Sequence, residues 1–127
     1  MGFTTPAFIR KNTLELRKKL ERLGYYLHPE CIDDDRGNYL FVNREYYLNR
    51  PLGYSEELSR SIDCGTNEDL FLAIAALRDD TSANQYWVFD QDFLPHYKKG
   101  DFTIGNFNRC SCYCHVASVK ELIEHFK

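Results

Sequence analysis

Three segments of the chain repeat one order of residues: a short apolar stretch, then a polar residue, then a run rich in helix formers. The apolar stretches are residues 7–11, 61–65 and 113–117. The helix-forming runs that follow them are residues 14–23, 67–78 and 119–126. Each run is long enough for a helix of at least two turns. The pattern therefore predicts three helices, each preceded by a strand.

The residues between strand and run are suited to capping a helix. They are Asn12 or Thr13, then Thr66, then Ser118. A side-chain oxygen at such a position accepts a hydrogen bond from an otherwise unpaired amide of the first turn. A carboxylate three residues on can accept a bond from the backbone amide of the cap and favours the positive end of the helix dipole. Those carboxylates are Glu15 (after Asn12), Asp69 and Glu121, so local chemistry predicts all three helix starts.

The apolar positions distinguish the three helices. In the first, Leu16, Leu20 and Leu23 recur on one face, and Gly24 follows as a left-handed stop. In the second, residues 70–77 are apolar on every side, which predicts a central buried helix. The third helix is short, and its apolar stripe consists of Val119, Leu122, Ile123 and Phe126.

Strand-like stretches occupy the segments between the helices. Residues 25–28 and 39–42 flank a polar segment at 33–38, which predicts a β-hairpin. Residues 46–48 extend its second strand or form a third strand, and residues 85–89 form another.

A long excursion follows at residues 93–108, where Pro95, Gly100 and Gly105 leave room for short strands at most. Together the elements predict the α+β class. We expect a single domain over residues 1–127, with a mixed or antiparallel sheet of about five strands and three helices mainly on one face.

Composition supports a packed domain. Of the 127 residues 43% are hydrophobic, and nine Phe, nine Tyr and one Trp supply large side chains. That content excludes general disorder, and the net charge of -3 excludes a polycation. Residues 1–10 do not have the pattern of a secretory signal, and the longest apolar run is far shorter than a membrane span. We therefore expect a cytoplasmic protein that does not bind membranes.

Adjacent aromatic residues indicate a binding surface. Neighbours along a strand point to opposite faces, so one member of each adjacent aromatic pair faces away from the helices. The candidate contact residues are Tyr26, Tyr39, Tyr46, Tyr86 and Trp87. Because Tyr and Trp are frequent at interfaces, we predict a non-catalytic module that binds another protein or a second copy of itself. In the alternative arrangement, the excursion at residues 93–108 covers this face.

Basic residues are concentrated at the start of the chain. Residues 1–24 contain six of them against two acidic residues, a net charge of +4, so the remainder carries -7. The six are Arg10, Lys11, Arg17, Lys18, Lys19 and Arg22. A basic helix near exposed aromatics can bind nucleic acid through phosphate contacts and base stacking, which is the alternative function. The same helix is also explained as a solvated face with internal pairs such as Glu15–Lys19.

A cysteine-rich stretch offers a third candidate site. Cys110, Cys112, Cys114 and His115 supply the four sulfur and nitrogen ligands that Zn²⁺ takes. On a strand, however, alternate residues lie about 7 Å apart, which is wider than the spacing of thiolates around one ion. The preferred interpretation is a strand whose cysteines face the core, so we predict no metal and no other cofactor. Cys64, just before the second helix, is a weaker candidate for a nucleophile.

The sequence shows no phosphate-binding loop, nucleophile elbow or zincin helix, so it does not indicate an enzyme. Three stretches nevertheless resemble a known group of proteins. They read TPAFIRKNTLELRKKL at residues 5–20, IDCGTNEDLFLAIAALRDD at 62–80 and VKELIEHFK at 119–127. They are similar to small proteins carried by prophages and conjugative elements of Gram-negative gut bacteria. The resemblance implies a bacterial cytoplasmic accessory protein and brings with it no activity, substrate or catalytic residue.

Overall fold

The computed structural model describes residues 5–29, 39–50, 59–78, 84–105 and 113–127. Within these ranges the three predicted helices are present, as α1 (Leu14–Arg22), α2 (Glu68–Ala75) and α3 (Val119–His125). The strands are β1 (Ala7–Ile9), β2 (Tyr26–Leu27), β3 (Tyr39–Asn43), β4 (Tyr46–Arg50), β5 (Ile62–Asp63), β6 (Tyr86–Phe89), β7 (Phe102–Ile104) and β8 (Cys114–Val116). No helix in the described part of the chain has the length and apolar character needed to cross a membrane.

The larger sheet has five strands in the order β2-β4-β3-β1-β5. Strand β3 is antiparallel to both β4 and β1, whereas the β2–β4 and β1–β5 pairs are parallel. The hairpin predicted from residues 25–28 and 39–42 is therefore wrong, because β2 pairs with β4 rather than with β3. Residues 46–48 belong to a strand of their own, and the polar segment at 33–38 lies outside the described residues.

A smaller antiparallel sheet has the order β7-β6-β8. Strand β6 matches the strand predicted at residues 85–89, and β7 is a short strand within the excursion, as expected. The predicted α+β class is thus confirmed, with three helices and a mixed five-stranded sheet. The second sheet is an addition to the prediction.

One connected core joins the helices to both sheets. Its fully buried helical side chains are Leu16 and Leu20 of α1, Phe71 and Ile74 of α2, and Leu122 of α3. They pack against one face of the larger sheet, which contributes Ala7, Ile9, Leu40, Val42 and Tyr47. The helices therefore cover this face, and α2, with most of its residues buried, is the central helix that its apolar run predicts.

The opposite face of the larger sheet carries a separate buried cluster. It consists of Phe8, Tyr39, Phe41 and Leu48. These residues alternate along β1, β3 and β4 with those of the main core, as the two-residue period of a strand requires. Both faces of the central strands are therefore apolar and buried.

Local hydrogen bonds set the helix ends. Thr13 caps α1 by accepting a bond from the amide of Leu16 at 3.1 Å, and Ser118 and Glu121 form a complete capping box on α3. After α1, Gly24 has φ +99° and lies so close to the Arg78 guanidinium that an added Cβ would sit 2.8 Å from it. The predicted glycine stop thus serves a left-handed turn and a close approach together.

The cap of α2 is Asn67, whose side chain accepts from the amide of Leu70 at 3.1 Å. The prediction of Thr66 is wrong by one residue. Both residue types can cap a helix, so only the path of the chain decides which of two neighbours does so.

Candidate functional site

Two of the predicted contact residues lie side by side at one end of the larger sheet. Tyr26 of β2 and Tyr46 of β4 are register partners, and they are 64% and 42% exposed. The ring of His28 packs edge-on against Tyr46, with centroids 5.3 Å apart. Among the described strands β2 is the last of the sheet on this side. We call Tyr26, His28 and Tyr46 the tyrosine edge.

The other three predicted contact residues lie elsewhere. Tyr39 is 3% exposed and packs edge-on against Phe8, with ring centroids 5.6 Å apart. Trp87 is 6% exposed, and its indole Nε1 donates to the carbonyl oxygen of Gly105 at 2.6 Å. Tyr86 is partly buried and packs against the main core. The prediction of one surface formed by all five residues is wrong, because strand alternation does not reveal which face another segment covers.

The excursion after β6 covers the outer face of the smaller sheet. Tyr97 stacks on Phe89 with ring centroids 4.3 Å apart, and Phe93 stacks on the same ring at 6.2 Å. Phe89 forms a third buried cluster with Trp87 and Cys114, and the two excursion residues pack against it. For this sheet the alternative expectation, a face covered by the excursion, is confirmed.

Half of the predicted basic set is neutralised within the chain. Arg10 forms an ion pair with Asp63, with Nη2 3.0 Å from Oδ2. Lys11 and Lys19 share one partner, since their Nζ atoms lie 2.8 Å and 2.7 Å from the two carboxylate oxygens of Glu68. These hydrogen bonds hold the pKa of the Glu68 carboxyl below its ordinary value. The basic segment at residues 10–22 therefore presents less uncompensated charge than its sequence indicates.

A pocket of about 280 Å³ lies between α1, α2 and the smaller sheet. Its lining residues are Lys19 and Arg22 from α1, Asp69, Leu72 and Ala73 from α2, and Asn84, Tyr86 and Ile104 from the smaller sheet and its approach. Lys19 and Arg22 belong to the predicted nucleic-acid surface and Tyr86 to the predicted protein-binding surface, whereas the structure brings all three to one pocket. No local pattern reveals that these distant segments meet.

The surroundings of Cys64 do not favour a nucleophile. It is 4% exposed, and burial, assisted by the charge of Asp63, raises the pKa of its thiol to about 12. A thiol with that pKa stays protonated at neutral pH, whereas nucleophilic attack needs the thiolate.

The predicted metal ligands are not brought together by the described residues. Cys114 is buried in the aromatic cluster, whereas His115 is exposed, since neighbours on a strand point to opposite faces. Cys110 and Cys112 lie outside the described residues. Among the described residues no group of three or more His, Cys, Asp or Glu side chains is placed to hold a metal ion.

His115 instead sits between two carboxylates. Its Nδ1 lies 2.6 Å from Oδ1 of Asp90, and its Nε2 lies 2.9 Å from Oε1 of Glu121. Partial burial acts to lower the pKa of His115, but the hydrogen bonds and charges of Glu121 and Asp90 outweigh it and raise the pKa. This carboxylate–histidine–carboxylate clasp joins the end of β6, β8 and α3, and only its capping residue Glu121 has a sequence signal.

Comparison with known proteins does not identify a family for this chain. No family model, curated protein or solved structure matches this chain.

Proposed function

We propose that the chain is a non-catalytic binding module that recognises another polypeptide through the tyrosine edge, Tyr26, His28 and Tyr46. The observation that carries the proposal is the exposure of Tyr26 and Tyr46 as register partners on adjacent strands. Tyrosine at such a position offers a large apolar area together with a hydroxyl that can bond to the partner. The resemblance of the helical stretches suggests that the module is an accessory protein of a bacterial mobile element.

The backbone of β2 supports the same proposal. The amides of Tyr26 and His28 donate to Glu45 and Tyr47 at 3.0 Å and 3.1 Å, so they point towards β4. The N–H and C=O of Leu27 then point away from β4, where no described strand pairs with them. An extended segment of the partner can add to the sheet here, with main-chain bonds for affinity and the two tyrosines for specificity.

Nucleic-acid binding is the less well supported alternative. Of the six basic residues, Arg10, Lys11 and Lys19 already form ion pairs within the chain. Phosphate contacts require cations that are available to release counterions from the nucleic acid. An acidic remainder of -7 further opposes a polyanion.

The experiment places a photo-crosslinking benzoylphenylalanine at position 26 or at position 94. Leu94 is the matched control, because it is 67% exposed and lies far along the chain in the excursion. Purified protein is irradiated first, to test self-association, and sedimentation velocity measures the oligomeric state. The same two proteins are then irradiated in an extract of the host, with and without nuclease.

We expect a nuclease-resistant crosslink at position 26 that position 94 does not form. Replacing both Tyr26 and Tyr46 by Ala should abolish the complex, whereas Leu94→Ala should leave it intact. Equal crosslinking at both positions, or a crosslink that nuclease removes, would contradict the proposal.

A further inference from the structure

The pocket between α1, α2 and the smaller sheet is distinct from the tyrosine edge. Its volume of about 280 Å³ is just below the usual range for small-ligand sites, about 300–1,000 Å³. Three of its lining side chains are apolar: Leu72 and Ala73 from α2 and Ile104 from β7. Ile104 is half exposed although it is a large aliphatic residue. The pocket therefore offers a small apolar floor that a ligand would remove from water.

A cationic and an anionic side chain, together with uncharged polar groups, surround these apolar residues. Arg22 and Asp69 come from different helices, and neither forms an ion pair with any described residue. Asn84 adds a carboxamide, and Tyr86 adds a ring and a hydroxyl. The charge of Asp69 helps to raise the pKa of Tyr86, after partial burial, which places the carboxylate close to that ring. A guanidinium and a carboxylate thus border one cavity with their hydrogen-bonding capacity unused by the described chain.

Charges of both signs border the pocket. Lys19 and Arg22 are cationic and Asp69 is anionic, but Lys19 is held by Glu68, with Nζ 2.7 Å from Oε1. The lining charges that form no ion pair with a described residue are therefore one cation, Arg22, and one anion, Asp69. A phosphate or nucleotide, which carries only negative charge, is poorly matched by such a site. A ligand that carries one charge of each sign and an apolar part is well matched.

We propose that this pocket binds a free α-amino acid with an apolar side chain. Arg22 would take the ligand carboxylate through the fork of its guanidinium, which suits a planar carboxylate. Asp69 would take the α-ammonium group, and the side chain would lie on Leu72, Ala73 and Ile104. This site goes beyond the proposed function, since neither Tyr26 nor Tyr46 contributes to it.

L-Leucine is the probe, with N-acetyl-L-leucine and L-leucinamide as ligands that lack one charge each. Titration calorimetry measures affinity, and ¹H–¹⁵N correlation spectra of the full chain locate the contact. We expect leucine to bind and to shift the amide resonances of Ala73 and Ile104. Each blocked ligand should bind about tenfold more weakly or not at all, because one charge-assisted contact is lost.

Two variants test the assigned roles. Arg22→Gln should weaken leucine binding about tenfold and remove the preference over L-leucinamide. Asp69→Asn should have the matching effect on the preference over N-acetyl-L-leucine. Lys18→Gln on the exposed side of α1 and Glu45→Gln in the β3–β4 turn are the matched controls, and both should bind leucine as the parent does. Circular dichroism confirms that each variant is folded.

Three outcomes would overturn the proposal. Leucine that produces neither heat nor resonance shifts excludes the ligand class. Equal binding of free and blocked leucine excludes the assigned polar contacts. Tighter binding of adenosine monophosphate than of leucine indicates an anion site instead. None of these outcomes bears on crosslinking at the tyrosine edge, so the two proposals fail separately.

Discussion

The hydroxyl of Tyr25 donates a hydrogen bond to the carbonyl oxygen of Ala75, 2.5 Å away, and so ties the chain after α1 to the last turn of α2. The tyrosine is fully buried, and the carbonyl belongs to the helix end, where backbone acceptors have no partner within the helix. Tyr25→Phe keeps the ring and removes this donor. We expect the free energy of unfolding to fall by about 1–2 kcal/mol, because a buried acceptor loses its partner.

Urea denaturation followed by circular dichroism measures that loss. Tyr46→Phe removes a hydroxyl from an exposed ring and is the control, with an expected change close to zero. An equal effect of both substitutions would show that the Tyr25 bond contributes no specific stability.

Asn49 presents the opposite situation. It is fully buried in β4, and neither its side-chain nitrogen nor its oxygen has a hydrogen-bond partner among the described residues. Asn49→Leu replaces this amide by an apolar group of similar size. We expect the substitution to stabilise the fold by about 1 kcal/mol in urea denaturation, because an unpaired buried polar group carries a desolvation cost. Destabilisation would mean that the amide has a bound water or another partner.

The His115 clasp should make stability depend on pH. The pKa of His115 is raised above 6.5 in the folded state, so its stabilisation is complete below pH 6.5 and is lost as the pH rises through the folded value. Glu121 acts in the other direction. Partial burial opposes its charged form, but bonds from Ser118 and His115 lower its pKa, so its stabilisation is lost as the pH falls below 4.5.

Unfolding measured across pH 4–9 tests this behaviour. His115→Gln should remove the decline above pH 6.5, and His96→Gln on the exposed excursion should leave it unchanged. The effect should be roughly a few tenths of a kcal/mol, since the histidine is 44% exposed and solvent screens the pair. A decline that survives His115→Gln would assign the pH dependence to another group.

Glu68→Gln removes the shared partner of Lys11 and Lys19. We expect a loss of about 1 kcal/mol at low salt that shrinks as salt is added, because the two ion pairs are partly exposed. Glu45→Gln in an exposed turn is the control. The variant also tests the alternative function, because it leaves two lysines uncompensated beside α1.

If α1 binds nucleic acid, Glu68→Gln should bind a single-stranded oligonucleotide more tightly than the parent, with a steeper salt dependence. We expect neither protein to bind at physiological salt. Fluorescence anisotropy over a salt series distinguishes the two results.

Cys64 should resist alkylation in the folded protein. Its pKa of about 12 leaves almost no thiolate at pH 8, and its side chain is buried. Iodoacetamide labelling followed by peptide mass spectrometry should show modification of Cys64 only after denaturant is added. Rapid labelling under native conditions would restore the hypothesis of a reactive thiol.

Local chemistry predicts the features that depend on neighbours in sequence. The capping box of Ser118 and Glu121 and the stop at Gly24 are encoded within four residues, and both are present. The pairing of β2 is not local. Its parallel neighbour is β4, and the chain forms β3 before it reaches β4 instead of returning through a tight turn. A polar segment between two strand-like stretches therefore predicts a hairpin that the chain does not form.

The candidate sites show the same limit. Tyr39 and Tyr46 are both tyrosines and lie on adjacent strands, but Tyr39 is buried and Tyr46 is exposed. Only the placement of other segments decides between these outcomes. Likewise, the sequence shows that Lys19 carries a positive charge. It does not show that Glu68 neutralises this charge, because their ion pair depends on α1 packing beside α2.

Strand β1, the first of the described elements, lies inside the larger sheet between β3 and β5. Its partners are supplied by residues 40–42 and 62–63, so Ala7–Ile9 cannot be paired on both sides until the chain has been synthesised as far as Asp63. Pairing between segments so far apart closes large loops, and folding rates fall as such distant contacts increase. We therefore expect folding to be slow for a chain of this length, with the apolar first strand accessible to chaperones during translation.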